Sequence, residues 1–410
     1  MDLRITPHKL SGKVCIPASK SMAHRAIICA SLAIATSRIT GVSFSRDIDA
    51  TLGVIEALGA TFEIRGDEIY LTGIRKANPK VQADCGESGS TLRFLIPIAA
   101  AFGAKTTFSG EGRLPSRPIT PYVRELTRKG VGFSFPRNAT MPFTTYGKLL
   151  PGIFELEGDI SSQFITGLLL ALPLLRGDSE IRMLSPLQSK PYADMTIACM
   201  ERFGVHVTET PKGYAIHGRQ FYQAQDFHVE GDFSQAAFFF TANAIGNLVD
   251  IRNLPENSMQ GDRKIVEILD EMWYNKNETL LVDATDIPDL VPILAVAASL
   301  APRPTRICGA ERLRIKESDR LATTAAMLQA LGGKVSVRPD GLDITPVDGF
   351  TGGVVDCAGD HRIAMCAAIA ATRASSDVIL RGSQCVEKSY PAFFADYQSL
   401  GGVTNGISLD

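Results

Sequence analysis

Three short stretches of this 410-residue chain concentrate the side chains that hold anions and move protons. Lys316-Glu317-Ser318-Asp319-Arg320 sets two cations among two acids, and Asp360-His361-Arg362 puts a carboxylate, an imidazole and a guanidinium in a row. Lys20-Ser21 with Arg25 offers an ammonium, a hydroxyl and a guanidinium at the start of an apolar run. On a helix, Lys316 and Arg320 are four apart and share a face, with Glu317 on the neighbouring one. Neutral donors recur in the same setting: Gly89-Ser90-Thr91 before Arg93, Ser161-Ser162-Gln163, and Ser189-Lys190-Pro191. Free N–H groups at a helix start, hydroxyls and cations together grip phosphate or carboxylate. Each stretch alone also reads as an ordinary helix cap.

The spacing of these stretches changes their weight. Six polar knots run straight into Ala-rich apolar patterns, and counting from Lys20 through Gly89, Ser161, Ser234 and Asp289 to His361 gives steps of 69, 72, 73, 55 and 72 residues. Independent capping does not require Lys20, Arg93, Arg117, Lys190, Lys316, Arg320, Arg362 and Lys388 to fall at repeat-equivalent helix starts; one small polyanionic ligand does. After the knot helices come further helical patterns that stop at glycine, followed by strand residues around a turn. They are 50–58, Gly59, 61–65 and 68–72; 194–203, Gly204, 205–208 and 214–217; and 321–331, Gly332, 334–338 and 342–345. The unit reads as alternating strands and helices ending in a hairpin. The fourth copy is short, with Asn275-Lys276-Asn277 in place of the glycine.

At this length two domains of three repeats each are expected. Crossings at the knots near Ser19 and Gly231 give one domain from 1–18 plus 230–410, containing both ends, and another from 19–229. With 42 basic and 44 acidic residues dispersed along the chain, a nucleic-acid surface is not indicated. The eight cysteines show no CxxC pair and the six histidines no ligand spacing, so neither a disulfide framework nor a metal site is expected. The first twenty residues lack a signal-like apolar run, and the apolar stretch 164–175 is short for a membrane span and broken by Pro173. A cytoplasmic monomer is expected.

Taken together, Ser19-Lys20-Ser21 with Arg25, Ser88-Gly89-Ser90-Thr91-Leu92-Arg93, Arg117-Pro118, Gly158-Asp159-Ile160-Ser161-Ser162-Gln163-Phe164, Ser189-Lys190-Pro191-Tyr192, Pro288-Asp289, Lys316 to Arg320, Asp360 to Met365 and Lys388 resemble the EPSP synthases, enolpyruvyl transferases of the shikimate pathway. The resemblance covers nearly the whole chain. It implies an α/β fold, a two-domain inside-out α/β barrel with three βαβαββ repeats per domain, closing on substrate in the interdomain cleft. It implies transfer of the enolpyruvyl group from phosphoenolpyruvate to shikimate 3-phosphate by addition and elimination, with no cofactor. It assigns Lys20, Ser21, Arg25, Ser161, Ser162, Gln163, Ser189, Asp289 and Lys316 to shikimate 3-phosphate. Phosphoenolpyruvate falls to Lys20, Gly89, Arg117, Gln163 and Lys388 at its phosphate, and to Arg320 and Arg362 at its carboxylate. Lys20, Asp289 and Glu317 are the expected catalytic groups.

Two positions depart from the pattern of many relatives: Glu87 and Arg312 each stand where asparagine is frequent. Gly89 keeps the side chain that similar enzymes pair with inhibition by glyphosate, so sensitivity is expected, and unchanged activity at millimolar inhibitor would contradict it. The sister transferase acting on UDP-N-acetylglucosamine carries Lys-Asn where this chain has Lys20-Ser21, and a mobile-loop cysteine absent from 110–117. A catalytically silent anion-binding protein is the third alternative. The acids argue against it, since binding an anion gains nothing from buried carboxylates.

Overall fold

A computed structural model describes residues 2–274 and 278–407. The chain divides into two compact units, Met1–Pro17 with Gly231–Asp410, and Ala18–Glu230. Each has its own apolar core.

The repeats become sheets. In the second repeat, parallel strands Lys80–Asp84 and Lys105–Ser109 flank the helix Gly89–Phe102. The helix Thr120–Thr127 and the hairpin of Val131–Ser134 with Phe143–Gly147 follow, and the last strand returns beside Lys105–Ser109. The same first-second-fourth-third order recurs in the third and fifth repeats. Strands distant in sequence complete two others. Asp226–His228 supplies the first strand beside Thr36–Thr40, and Asp2–Thr6 sits between Val378–Arg381 and Val403–Ile407. The fourth sheet has two strands, Ser11–Cys15 and Leu248–Arg252, with no hairpin among the described residues. Asn275, Lys276 and Asn277, which replace the glycine stop there, lie outside the described residues.

Helices lie inside and sheets outside. All eleven residues of the helix His361–Ala371 are buried, as are nine of the ten in Val291–Leu300, whereas strands such as Lys80–Asp84 alternate between buried and exposed. A helix apolar all round must be enclosed, while an alternating strand needs only one covered face. Small residues permit the enclosure. A Cβ on Gly167, in the helix Ser162–Ala171, would lie 2.3 Å from the Arg93 carbonyl oxygen, so the two knot helices approach backbone to backbone. The sheets remain separate, none closed on itself among the described residues.

Most expected elements form near their predicted bounds, including the stop at Gly59, which adopts φ 118° after the helix Arg46–Leu58. Two differ. The strand expected at 205–208 begins only at Thr208, because the Gln220 side chain takes both the N–H and the carbonyl of His206. The helix expected from Lys316 begins at Arg320: Asp319 caps it by accepting from the Ala322 N–H, and Lys316 is extended after the 3-10 segment Glu311–Ile315. Lys316 and Arg320 therefore do not share a helix face.

Candidate active site

In the unit Ala18–Glu230, three knots and the Ser189 stretch sit at helix starts and are linked by side chains. Ser19 caps the helix Lys20–Leu32 by accepting from the Met22 N–H, which places Lys20 on the first turn, its Nζ 2.8 Å from Asp47 Oδ2. Asp47 opens the next helix, and its carbonyl accepts from Thr91 Oγ1 at 3.4 Å. Ser88 caps the helix that begins at Gly89. A Cβ on Gly89 would lie 2.4 Å from Arg117 Nη1, so the guanidinium rests directly on the glycine. Gln163 joins the third knot to the second, donating to Ser90 Oγ at 3.0 Å and accepting from Arg93 Nη1 at 2.7 Å. Ser189 precedes the helix Lys190–Arg202 with φ 57°, a left-handed conformation that costs a serine about 1–2 kcal/mol and so points to a position held for use.

Arg25 is buried, and its guanidinium donates from Nε to Thr196 Oγ1, from Nη1 to the Ser21 carbonyl and from Nη2 to the Tyr192 carbonyl. Burial lowers its pKa to about 10, which leaves it charged at neutral pH. It ties the first knot to the helix that follows Ser189 and reaches a ligand only through the hydrogens those bonds leave.

The unit containing both chain ends gathers arginines and carboxylates. Arg320, 1 % exposed, donates from Nε to Asp360 Oδ2 at 2.9 Å, from Nη1 to Asp289 Oδ1 at 2.9 Å and from Nη2 to Glu317 Oε2 at 2.6 Å. Arg362 donates from Nη2 to Ser234 Oγ at 2.6 Å and to Asp289 Oδ2 at 3.1 Å, and from Nη1 to the Asp289 carbonyl at 3.1 Å. Lys316 Nζ stands 3.9 Å from Asp289 Oδ1. Lys388 closes the 3-10 segment Ser383–Lys388 and donates to the Gly359 carbonyl at 2.8 Å, beside Asp360.

Charge sets the character of these acids. Burial would raise the Asp289 pKa, but Arg362, Lys316 and Arg320 overcome it and hold the carboxyl well below the usual range. Asp360 is likewise buried yet kept low, chiefly by Arg320. Burial lowers the Arg320 pKa, and Asp360, Glu317 and Asp289 more than restore it. Asp262, also buried, is pushed up to about 7 by burial and then by Asp289, against the pull of Arg362.

Acids held beside two arginines, in a chain of repeated strands and helices, agree with the sequence pattern above. The profile described as EPSP synthase (3-phosphoshikimate 1-carboxyvinyltransferase) matches residues 5–397. This chain belongs to the EPSP synthase family. It is 44 % identical to a 3-phosphoshikimate 1-carboxyvinyltransferase of Clostridioides difficile and 42 % identical to one of Clostridium beijerinckii, each alignment covering 98 % of both chains. An EPSP synthase structure from Acinetobacter baumannii superposes with a TM-score of 0.81 at 24 % identity, covering 99 % of this chain and all of that one.

For a member of the EPSP synthase family, the described geometry connects the expected residues within each unit. Lys20, Ser21, Arg25, Gly89, Arg117, Gln163 and Ser189 belong to one network, with Ser161 capping and Ser162 opening the helix that carries Gln163. Asp289, Lys316, Glu317, Arg320 and Arg362 form the other, with Lys388 beside it. Sequence reasoning gave no role to Asp47, Ser234, Asp262 or the Asp360 carboxylate. Asp47 and Asp262 lie 27 and 100 residues from Lys20 and Arg362 with no spacing signal; Ser234 marked a repeat position but pointed to no partner, and Asp360 sat in a quoted motif and could have been read as a cap. Of the two departures, Glu87 packs where a Cβ on Gly112 would meet its carboxyl at 2.3 Å, and Arg312 donates to the Thr285 carbonyl at 2.7 Å. No metal-binding cluster of His, Cys, Asp or Glu occurs among the described residues.

Proposed function

We propose that this chain transfers the enolpyruvyl group of phosphoenolpyruvate to the 5-hydroxyl of shikimate 3-phosphate and releases phosphate. The observation that carries the reading is the pair of guanidiniums, Arg320 and Arg362, converging on Asp289 with Glu317 attached to the same Arg320. Two arginines in a fork suit a carboxylate, and two acids beside it suit a reaction that removes one proton and delivers another.

In the addition step the acceptor hydroxyl loses its proton, its oxygen bonds to the central carbon of phosphoenolpyruvate, and the methylene carbon gains a proton. In the elimination step the methyl group gives a proton back and the carbon–phosphate oxygen bond breaks. Asp289 and Lys20 serve the hydroxyl, and Glu317 serves the methylene. Lys20, the Gly89 N–H, Arg117, Gln163 and Lys388 hold the phosphate as it departs with developing charge; removing one such fixed donor typically costs about 100- to 1,000-fold in rate. Ser161, Ser162, Ser189, Ser21, Arg25 and Lys316 orient shikimate 3-phosphate. The reading requires both units to close on the substrates and exclude water, which protects the intermediate from hydrolysis. It also places the enzyme in the cytoplasm as a monomer. The eight cysteines, all unpaired, are consistent with a reducing compartment, and no helix among the described residues is long and apolar enough to cross a membrane.

The test is phosphate release from phosphoenolpyruvate with shikimate 3-phosphate, with UDP-N-acetylglucosamine, and with no acceptor. Release with shikimate 3-phosphate alone is expected. Release only with the nucleotide sugar, or with neither acceptor, would overturn the assignment.

A further inference from the structure

The carboxylate cast above as the base occupies the fork cast above as the donor's carboxylate site. Asp289 Oδ1 takes Nη1 of Arg320 and its Oδ2 takes Nη2 of Arg362, at 2.9 and 3.1 Å. Both guanidiniums are held independently of that side chain. Asp360, fully buried, keeps Nε of Arg320 and a second bond at 3.3 Å to Nη2. Ser234 and the Asp289 main-chain carbonyl keep Arg362. The Asp289 side chain is 20 % exposed, so it can rotate away while the donors it leaves stay aimed at the same point. A second carboxylate has the same planar pair of oxygens and fits the same donors.

We propose that Asp289 is an internal stand-in for the carboxylate of phosphoenolpyruvate, displaced from Arg320 and Arg362 when that substrate binds and thereby released to act as the base. The inference rests on the transferase reading. No bond is made or broken in the exchange; one carboxylate replaces another on two guanidiniums. Its catalytic consequence follows from charge. While Arg362, Lys316 and Arg320 all act on Asp289, outweighing burial and the opposing charge of Glu317, it is a poor proton acceptor. Once a second carboxylate shares the two arginines, their hold on Asp289 weakens and its basicity rises. Donor loading and base activation become two sides of one coupling, which is reciprocal and typically about 5- to 150-fold.

Removing the stand-in should therefore tighten donor binding while abolishing turnover, an outcome that a residue serving only as a base does not give. The measurement is calorimetric titration of phosphoenolpyruvate, without acceptor, into the full chain and its Asp289→Asn and Asp289→Ala variants at pH 8. Asp262→Asn is the control: it removes a buried charge facing Arg362, Asp289, Asp232 and Ser234 without vacating the fork. Expected are dissociation constants at least about tenfold lower in both Asp289 variants and a much smaller change in the control, with circular dichroism verifying that all fold. Unchanged or weaker binding in folded Asp289 variants would overturn the exchange, as would an equal gain in the Asp262 control, which would reduce the effect to net charge. Tighter binding in the variants of a parent that turns over no acceptor would leave the exchange standing and remove the transferase reading.

Discussion

Replacing Gly89 by alanine tests the phosphate side of the site with a single methyl group. The new Cβ would lie 2.4, 2.7 and 2.8 Å from Nη1, Cζ and Nη2 of Arg117, where carbon contacts need about 3.5 Å, so the guanidinium must retreat by about 1 Å. It can do so because it is the far end of a flexible side chain. Gly89 opens its helix without a positive φ, so the backbone accepts alanine and gains about 0.4–1 kcal/mol from the less flexible unfolded chain. The fold should hold while the grip weakens. Loss of one hydrogen bond to a charged group is worth about 1.5–3 kcal/mol, or roughly 10- to 150-fold in kcat/KM for phosphoenolpyruvate. Steady-state phosphate release should show that loss mainly in the KM for phosphoenolpyruvate, with the KM for shikimate 3-phosphate within about twofold and Tm not reduced. In an Arg117→Ala background the same methyl should have little further effect. A KM for phosphoenolpyruvate that stays at the parent value, or a full loss in the Arg117→Ala background, would refute the claim that Gly89 acts by seating Arg117.

Lys20→Ala and Glu317→Ala should each abolish turnover in folded protein; a variant retaining more than about a tenth of the parent rate in the phosphate assay would leave the mechanism. Asp360→Ala should destabilise its unit by about 3–5 kcal/mol, measured by urea unfolding, because it leaves the buried Arg320 without the partner on Nε and removes the cap of the helix His361–Ala371. Asp262 should make stability fall with rising pH. Its carboxyl titrates near 7 when folded against an ordinary 3.8, so the folded state binds the extra proton and the penalty grows from about pH 4 to pH 7, then levels off. A displacement of about three pH units, at roughly 1.4 kcal/mol each, is up to about 4 kcal/mol. Asp262→Asn should therefore be neutral near pH 4 and stabilising at pH 8; equal unfolding midpoints for parent and variant at both pH values would contradict this.

The periodic part of the fold was legible because its causes are local. Glycine stops and hairpin turns lie within a few residues of what they terminate, so the helix ending at Gly59 and the strands Thr61–Arg65 and Glu68–Thr72 fall where their spacing put them. The error at Lys316 was local too. Asp319 is a capping residue type, and its bond to the Ala322 N–H starts the helix four residues later than the charge pattern suggested. What no local rule could supply is the partner of each charge. Lys20 meets Asp47 across 27 residues, Gln163 meets Ser90 across 73, and Arg362 meets Ser234 across 128. The repeat indicated that the knots are equivalent positions, but only the fold decides which knot touches which.

The two networks also differ in a way that residue types alone concealed. Arg93 donates to the Gln163 amide oxygen and the Pro118 carbonyl, Gln163 donates to the Ser90 hydroxyl, and Lys20 stands against the Asp47 carboxylate. Arg320 and Arg362 instead donate to carboxylates, to Ser234 and to the Asp289 carbonyl, and three acids meet at Arg320 alone. Donors already carrying carboxylates can accept another only by exchange, which makes affinity there a difference between two similar interactions rather than the full strength of one. Such an arrangement discriminates by geometry: an anion gains the fork only if it satisfies both arginines as well as Asp289 does. Spherical or single-atom anions should therefore compete poorly there, and chloride at concentrations that screen surface charge should weaken the phosphate grip well before it displaces Asp289.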